Sequence, residues 1–283
     1  MKRREFITLL GAVAAGWALA ARAQQAGKMW RIAFITHGHQ LIYEQLFAAL
    51  RELGYEEGQN IIIERRYAEG RAERFQEFAA EMVRLKVDLI ITTTTPAALA
   101  AKNATTTIPI VIPTAIDPVG TGLITSLAHP SGNITGGAIL TGEMAAKRLE
   151  LLKEVVPSLS RTAVLWNSAN PANALAWRET QGAARALGVT LQSHEVKGPK
   201  DLEVAFARMA EEGPDALFVL DDALIIQYRK EIADFAIQKR LPSVFAAKDR
   251  VEAGGLLWTP KRTCRERREQ VDVTKMIVSD VSP

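Results

Sequence analysis

The stretch VDLIITTTTPAALAA (87–101) joins a continuous apolar run to four threonines and then to an alanine-rich segment. An unbroken apolar run is typical of a strand that is buried on both faces of a parallel sheet. Thr95 before Pro96 predicts the N-cap of a helix, because the hydroxyl can cap the first turn and proline has no N–H to leave unpaired. One capping residue does not account for the three threonines before it. A plain polar strand end and a ligand site therefore both remain open.

The same alternation of strand and helix continues in both directions along the chain. In the first half we predict strands at residues 30–36, 60–68, 87–93 and 108–116, and helices at 41–54, 71–86 and 96–104. The second half repeats the order, with strands at 161–167, 189–196, 214–221 and 241–246 and helices at 171–188, 199–213 and 223–240. This pattern predicts an α/β fold of two similar doubly wound parallel-sheet lobes joined by a hinge. The alternative is that any α/β chain would alternate in this way.

The boundary between the lobes is predicted near GNITGGAILT (132–141), where three glycines precede a long helix at 142–156. The expected organisation is an N-terminal lobe at 28–137 and a C-terminal lobe at 138–246. Residues 247–283 would hold a segment that returns to the first lobe, followed by a basic tail.

The N-terminus has the pattern of a secretory signal peptide at residues 1–23. A basic start, MKRR, is followed by an uncharged apolar run at 6–20 and by small residues at Ala21 and Ala23. We therefore expect export to the periplasm, and RREFI (3–7) leaves the twin-arginine route open beside the general one. An uncleaved membrane anchor is the alternative, although the run is shorter than the roughly 20 residues of a spanning helix.

Composition excludes several classes of function. A net charge of +3 in 283 residues gives no case for nucleic-acid binding. Cys264 is the only cysteine and the four histidines are scattered, so no disulfide, redox pair or metal site is expected. The chain has no motif for a nucleotide cofactor or a catalytic nucleophile, and we expect no cofactor. Asp221 and Asp222 could form an acid–base pair, but neighbours at a strand end point in opposite directions.

Polar residues follow the carboxyl ends of the predicted strands, which is where open α/β sheets bind ligands. The candidate ligand-binding residues at these ends are Thr36, His37, Thr93, Thr94, Thr95, Asp117, Asn167, Asn170, Asp221 and Asp222. Asn170 before Pro171 is a second predicted N-cap, and Trp166 and Phe245 are candidates for stacking on a ligand or for packing in the core. Hydroxyls in one lobe and carboxylates in the other would suit a zwitterion held in the cleft between the lobes.

The run AIDPVGTGLITSLAHPSGNITG (115–136) closely resembles a motif of a bacterial ABC-transporter substrate-binding family of the tryptophan/tyrosine type. PAALAAKNATTTIPIV (96–111), KRLELLKEVVP (147–157), RLPSVFA (240–246) and VEAGGLL (251–257) are similar to the same family. The resemblance implies a periplasmic-binding-protein type I-like fold and an exported receptor for a small organic solute, with an amino acid as one candidate. It also implies a membrane permease as partner, and neither enzyme activity nor stable membrane insertion after signal cleavage.

The resemblance ends after Leu257, where the family continues with further elements of the first lobe. Here the sequence runs into KRTCRERR (261–268), which is strongly charged and has no apolar face. We expect a truncated or frameshifted end, and a solvated tail rather than a nucleic-acid or membrane patch. Two rival functions remain open: a ligand-sensing domain of a signalling system, which shares the fold, and a secreted α/β enzyme, which would need a nucleophile and base.

Overall fold

The computed structural model describes residues 28–39, 41–128, 132–139 and 142–245. The predicted signal peptide, the predicted return segment and the basic tail lie outside the described residues. Within the described part, strands and helices alternate along almost the whole chain, as the apolar periodicity predicts.

Nine strands are described. They are β1 (Trp30–Thr36), β2 (Ile61–Tyr67), β3 (Leu89–Thr92), β4 (Ile110–Ile116), β5 (Ile134–Ile139), β6 (Arg161–Trp166), β7 (Thr190–Glu195), β8 (Ala216–Val219) and β9 (Ser243–Val244).

The described helices connect these strands. They are α1 (Leu41–Glu52), α2 (Arg74–Arg84), α3 (Thr95–Ala104), α4 (Gly142–Val155), α5 (Pro171–Leu187), α6 (Pro199–Glu212), α7 (Ala223–Gln227) and α8 (Arg229–Gln238).

The strands form two separate parallel sheets. The first has the order β2-β1-β3-β4-β5 and the second has the order β7-β6-β8-β9. In each sheet the second strand of the lobe lies at the edge, the first strand lies next to it, and the third and fourth strands follow on the other side of the first. The two halves therefore share a topology, and the strand order reverses between β1 and β3 and again between β6 and β8. Ligands of doubly wound sheets bind at such a reversal.

Each sheet has a core on both of its faces. In the first lobe one core includes Phe75 and Ile110 under α2 and α3, and the other includes Phe34 and Phe47 under α1. In the second lobe one core lies under α6, α7 and α8, and the other lies under α4 and α5. Trp166 and Phe245, the two candidates for stacking on a ligand, belong to these second-lobe cores. Helices on both faces explain why the strands read as continuous apolar runs.

Several element ends lie up to three residues from their predicted positions, and two further details differ from the sequence-based expectation. The N-cap of α3 is Thr94 and not Thr95, and its hydroxyl accepts a hydrogen bond from Ala97 N at 3.2 Å. The predicted helix at 223–240 is divided at Tyr228 into α7 and α8. Pro96 was taken as the first helical residue, but the helix begins at Thr95, one residue earlier, so the cap moves to Thr94. No glycine or proline marks the break at Tyr228.

The last strand of the first sheet, β5, pairs irregularly with β4. The register between them shifts between Ile112 and Ala115, and Gly136 lies directly against the backbone carbonyl of Ile112. Gly136 has a φ of 154°, so this position suits glycine by backbone conformation as well as by space. The first sheet thus extends through Ile139, and α4 then packs on the second sheet.

Candidate functional site

The carboxyl end of β1 carries a closed ring of three hydroxyls. Thr36 Oγ1 lies 3.0 Å from Tyr43 Oη, Tyr43 Oη lies 3.0 Å from Thr93 Oγ1, and Thr93 donates to Thr36 over 2.6 Å. Thr36 is fully buried, Tyr43 is nearly so, and Thr93 is half-buried. The ring joins the ends of β1 and β3 to α1. Tyr43 was not among the sequence candidates, because its role depends on how α1 packs on the sheet.

The four consecutive threonines have different structural roles. Thr92 is the fully buried end of β3, Thr93 belongs to the hydroxyl ring, Thr94 caps α3, and Thr95 is buried in the first turn of that helix. These structural roles therefore account for some of the four threonine hydroxyls but not for all of them. Thr93 is the member that keeps some exposure at the cleft.

The corresponding edge of the second lobe is organised around Asp222. Its Oδ1 accepts hydrogen bonds from Asn167 Nδ2 at 3.0 Å and from Leu224 N at 2.8 Å, and its Oδ2 accepts one from Asn170 Nδ2 at 2.7 Å. Asp222 is the N-cap of α7, and Asn170 caps α5 as predicted. Two strand ends and two helix starts are thereby joined through one buried carboxylate.

Asn173 completes this network and was not among the predicted ligand-binding residues. Its Oδ1 accepts from Asn167 N at 3.2 Å, and its Nδ2 donates to the carbonyl of Asp221 at 2.8 Å. Its position three residues after the predicted cap Asn170 places it on the sheet-facing side of the first turn, which is the signal that could have found it. Asp221 itself lines a small pocket together with Arg229 and Phe245.

The two edges face each other across the cleft. His37 is fully buried and its ring packs edge-on against Phe75, with 4.8 Å between ring centroids. Burial lowers the pKa of His37, and the nearby Asp222 carboxylate of the other lobe opposes that shift. Gln227 of α7 lies directly against Gly38, since a Cβ on this glycine would be 2.5 Å from Gln227 Nε2.

Several buried polar atoms at this junction have no hydrogen-bond partner among the described residues. They are both ring nitrogens of His37, Ser168 Oγ, Gln227 Nε2 and, at the end of β3, Thr92 Oγ1. Buried polar groups are nearly always paired, by protein, water or ligand. A cluster of unpaired groups contributed by both lobes therefore indicates a place where a polar ligand or water belongs. Ser168 and Gln227 were not predicted, since neither has a sequence pattern beyond lying near a strand end.

Asp117 takes part in the turn after β4. Its backbone has a φ of 41°, and its Oδ1 accepts a hydrogen bond from Gly120 N at 2.9 Å. Asp117 thus has a local role, because an aspartate in a left-handed conformation stabilises such a turn through its own side chain, and its contact with a ligand stays a prediction.

In the described part of the chain no group of three or more histidine, cysteine or acidic side chains could hold a metal ion. No described helix is long and apolar enough to cross a membrane. The carboxylate of Asp222 accepts hydrogen bonds from three neutral amides.

The two α/β lobes of like topology have a periplasmic-binding-protein type I-like fold. The family model described as "ABC transporter substrate binding protein" matches residues 32–259, which is most of the chain. The chain therefore belongs to this family, which consists of solute-binding proteins and not of enzymes.

Individual relatives agree with this assignment. A tyrosine-binding protein of Clostridioides difficile is 29% identical over 210 residues, which cover 74% of this chain and 59% of that protein. The chain thus spans about three-fifths of the length of this curated relative.

Two solved structures share the fold. A conserved domain protein of Vibrio cholerae has a TM-score of 0.71 and 28% identity, covering 81% of this chain and 78% of that one. A Streptococcus pneumonia protein described in complex with L-Trp has a TM-score of 0.70 and 24% identity at the same coverage.

Proposed function

We propose that this protein is the exported solute receptor of an ABC importer and that it binds an α-amino acid in the cleft between its lobes. The observation that carries the proposal is the set of buried, unpaired polar atoms of His37, Ser168 and Gln227, which lie near the strand ends and helix starts of the two cleft edges. The cluster draws on both lobes, and it lies between a hydroxyl-lined helix start and a buried carboxylate.

The second lobe would bind the ammonium group of the ligand. Asp222 is only 3% exposed, and its three named donors are neutral amides, which orient the carboxylate without cancelling its charge. A carboxylate offers about four acceptor positions, so one position is left for a further donor. A buried carboxylate is costly unless it meets a positive charge, and an α-ammonium group would supply both the charge and the donor. Asn167 and Asn170 hold Asp222 in place.

The first lobe would bind the ligand carboxylate. The start of α3 presents backbone N–H groups and the positive end of the helix dipole, and Thr93 adds a half-buried hydroxyl. Thr36, Thr94 and Thr95 would act by positioning, because they are buried in the ring, the cap and the first helical turn.

The relatives support an aromatic amino acid as the ligand. The Clostridioides difficile relative is a tyrosine-binding protein, and at 29% identity the cleft chemistry can be shared while the pocket for the side chain differs. We further propose a membrane permease as partner and export to the periplasm through residues 1–23, with either export route. The lobes are taken as 28–137 and 138–246, followed by a return segment.

Isothermal titration of the purified chain with L-tyrosine, L-tryptophan and the corresponding amines and acids tests this function. Both amino acids should bind more tightly than analogues that lack either the ammonium or the carboxylate group. Equal affinity for the amine and the amino acid would exclude the role of the first lobe. Absence of binding by all of the amino acids would overturn the proposal.

Replacing Asp222 tests the second lobe directly. Asp222→Asn keeps the size of the side chain and a capping oxygen but removes the charge, and should weaken binding by at least about thirtyfold, as expected for one partner of a buried charge pair. Asp201→Asn is the matched control. Asp201 also accepts backbone N–H groups at a helix start of the same lobe, from Lys197 and Gly198, and its loss should leave affinity unchanged.

A further inference from the structure

The turn between β2 and α2 of the first lobe lies against the second lobe at a glycine. Gly70 is buried, and a Cβ on it would lie 2.9 Å from Pro199 Cδ and 3.0 Å from Leu224 Cδ1. Pro199 begins α6 and Leu224 begins the buried side of α7. Neither can swing away as the end of a long side chain could, because one is a rigid ring and the other is fully buried.

The backbone of this turn is fixed to the candidate site. Glu69 and Gly70 both have positive φ, of 53° and 79°, and Arg71 N closes the turn on Ala68 O at 2.9 Å. Ala68 N donates to Thr36 O at 2.9 Å, and Glu69 N donates to His37 O. A displacement of Gly70 away from the second lobe would therefore move the whole first-lobe edge of the cleft.

A second glycine lies at a contact that can accommodate an added methyl group. Gly38 also lies against the second lobe, but its neighbour is the end of the Gln227 side chain. An added methyl group at Gly38 can be accommodated by rotation of this glutamine, without separation of the lobes.

We propose that Gly70, Pro199 and Leu224 form a closure seat, a contact that sets how far the lobes close and hence how tightly the ligand is held. The proposal rests on the proposed function only in placing the ligand between the lobes. When the binding-competent form is a fraction of the molecules, the apparent dissociation constant rises by the inverse of that fraction. A side chain at Gly70 would reduce the closed fraction.

The test compares Gly70→Ala with Gly58→Ala in the full chain. Both glycines belong to the first lobe and have nearly the same left-handed backbone, with φ of 79° and 84°. No described atom lies within 4 Å of a Cβ on Gly58. The two variants therefore share the cost of an alanine at positive φ, and only the first adds a clash with the other lobe.

Lobe separation is measured without ligand. Spin labels on Glu77→Cys of α2 and Glu203→Cys of α6, with Cys264→Ser to remove the native thiol, report the distance across the cleft, since both residues are exposed. Gly70→Ala should lengthen this distance and Gly58→Ala and Gly38→Ala should not. Pro199→Ala added to Gly70→Ala removes the ring that meets the methyl group and should shorten the distance again.

Titration with L-tyrosine then gives the functional effect. We expect Gly70→Ala to raise the dissociation constant about tenfold relative to Gly58→Ala, which corresponds to a closed fraction reduced to about one-tenth. Equal distances in Gly70→Ala and Gly58→Ala would overturn the closure seat. A longer distance in Gly70→Ala would support the closure seat even if neither the wild-type chain nor any variant bound an amino acid. The absence of binding would reject the proposed function, so the two failures are distinguishable.

Discussion

At the scale of single residues, two buried histidines link the stability of the protein to pH. His37 packs against Phe75 in the first lobe, and His194 lies inside β7 with its Nε2 3.4 Å from Glu212 Oε2. Burial is the main cause that lowers the pKa of both imidazoles; Asp222 opposes it for His37 and Glu212 opposes it for His194. Both rings are therefore held neutral in the folded protein.

The sign of the pH effect follows from these lowered pKa values. In the unfolded chain each histidine titrates near about 6.5, so below that pH the unfolded state binds more protons than the folded state. The free energy of unfolding should then fall as the pH drops from 7.5 to 5.5. Denaturant titrations at several pH values measure this slope, and His37→Gln combined with His194→Gln should flatten it.

His39→Gln provides the control for this prediction, because His39 is an exposed histidine that bonds to Glu44 at the surface. It should leave the slope almost unchanged. A double variant at His37 and His194 with the wild-type slope would show that other groups carry the pH dependence. The measured range of pH 5.5 to 7.5 lies above the ordinary pKa values of carboxyl groups, which are about 4. Surface carboxylates therefore contribute little to the slope.

The residues of the candidate site were predicted unevenly, and the reason is physical. Asn167, Asn170 and Asp222 were found because a polar residue at the end of an apolar strand marks the ligand edge of an α/β sheet. Tyr43 and Asn173 were missed because they reach the site from within helices. Their periodicity shows only that they face the sheet, and which polar partner they meet depends on the tertiary structure.

At the scale of elements, the strands were the most predictable part of the molecule. β1 has the predicted bounds, and β6 ends one residue before its predicted end, because continuous apolar runs end sharply at polar residues. Helix ends were predicted correctly where a glycine follows the last helical residue, as at Gly188, which has a φ of 65°. The break at Tyr228 and the cap at Thr94 were not predictable, since packing against the cleft and not local propensity decides them.

The pairing of β4 with β5 gives a test at this scale. Gly136→Ala would place a methyl group on the Ile112 carbonyl, so the two strands would have to separate. We expect a loss of more than about 3 kcal/mol in the free energy of unfolding. Gly54→Ala is the control, because Gly54 also has a positive φ, of 83°, with no described atom within 4 Å. It should cost only about 1 kcal/mol.

Urea titration with a circular-dichroism signal compares these two variants directly. Equal destabilisation by both would show that β5 can move away from β4 without cost. Such a result would contradict the tight register between these strands.

At the scale of the whole molecule, each lobe has its own pair of cores and its own sheet. Among the described residues, contacts between the lobes include those of Gly38 and Gly70 at the cleft edge and the approach of α3 to α5. A domain with its own core can unfold on its own. Ligand binding should therefore be what couples the stability of the two lobes.

Hydrogen exchange of the backbone amides tests this coupling lobe by lobe. Without ligand, the amides of the first sheet and of the second sheet should open with different free energies, because separate cores support them. L-tyrosine at about 100 times its dissociation constant should add about 2.7 kcal/mol to any opening that destroys the site. If the ligand lies between Thr93 and Asp222, opening of either lobe destroys the site, and protection should rise in both sheets. Protection that rises in one sheet alone would place the ligand within a single lobe and contradict a site shared across the cleft.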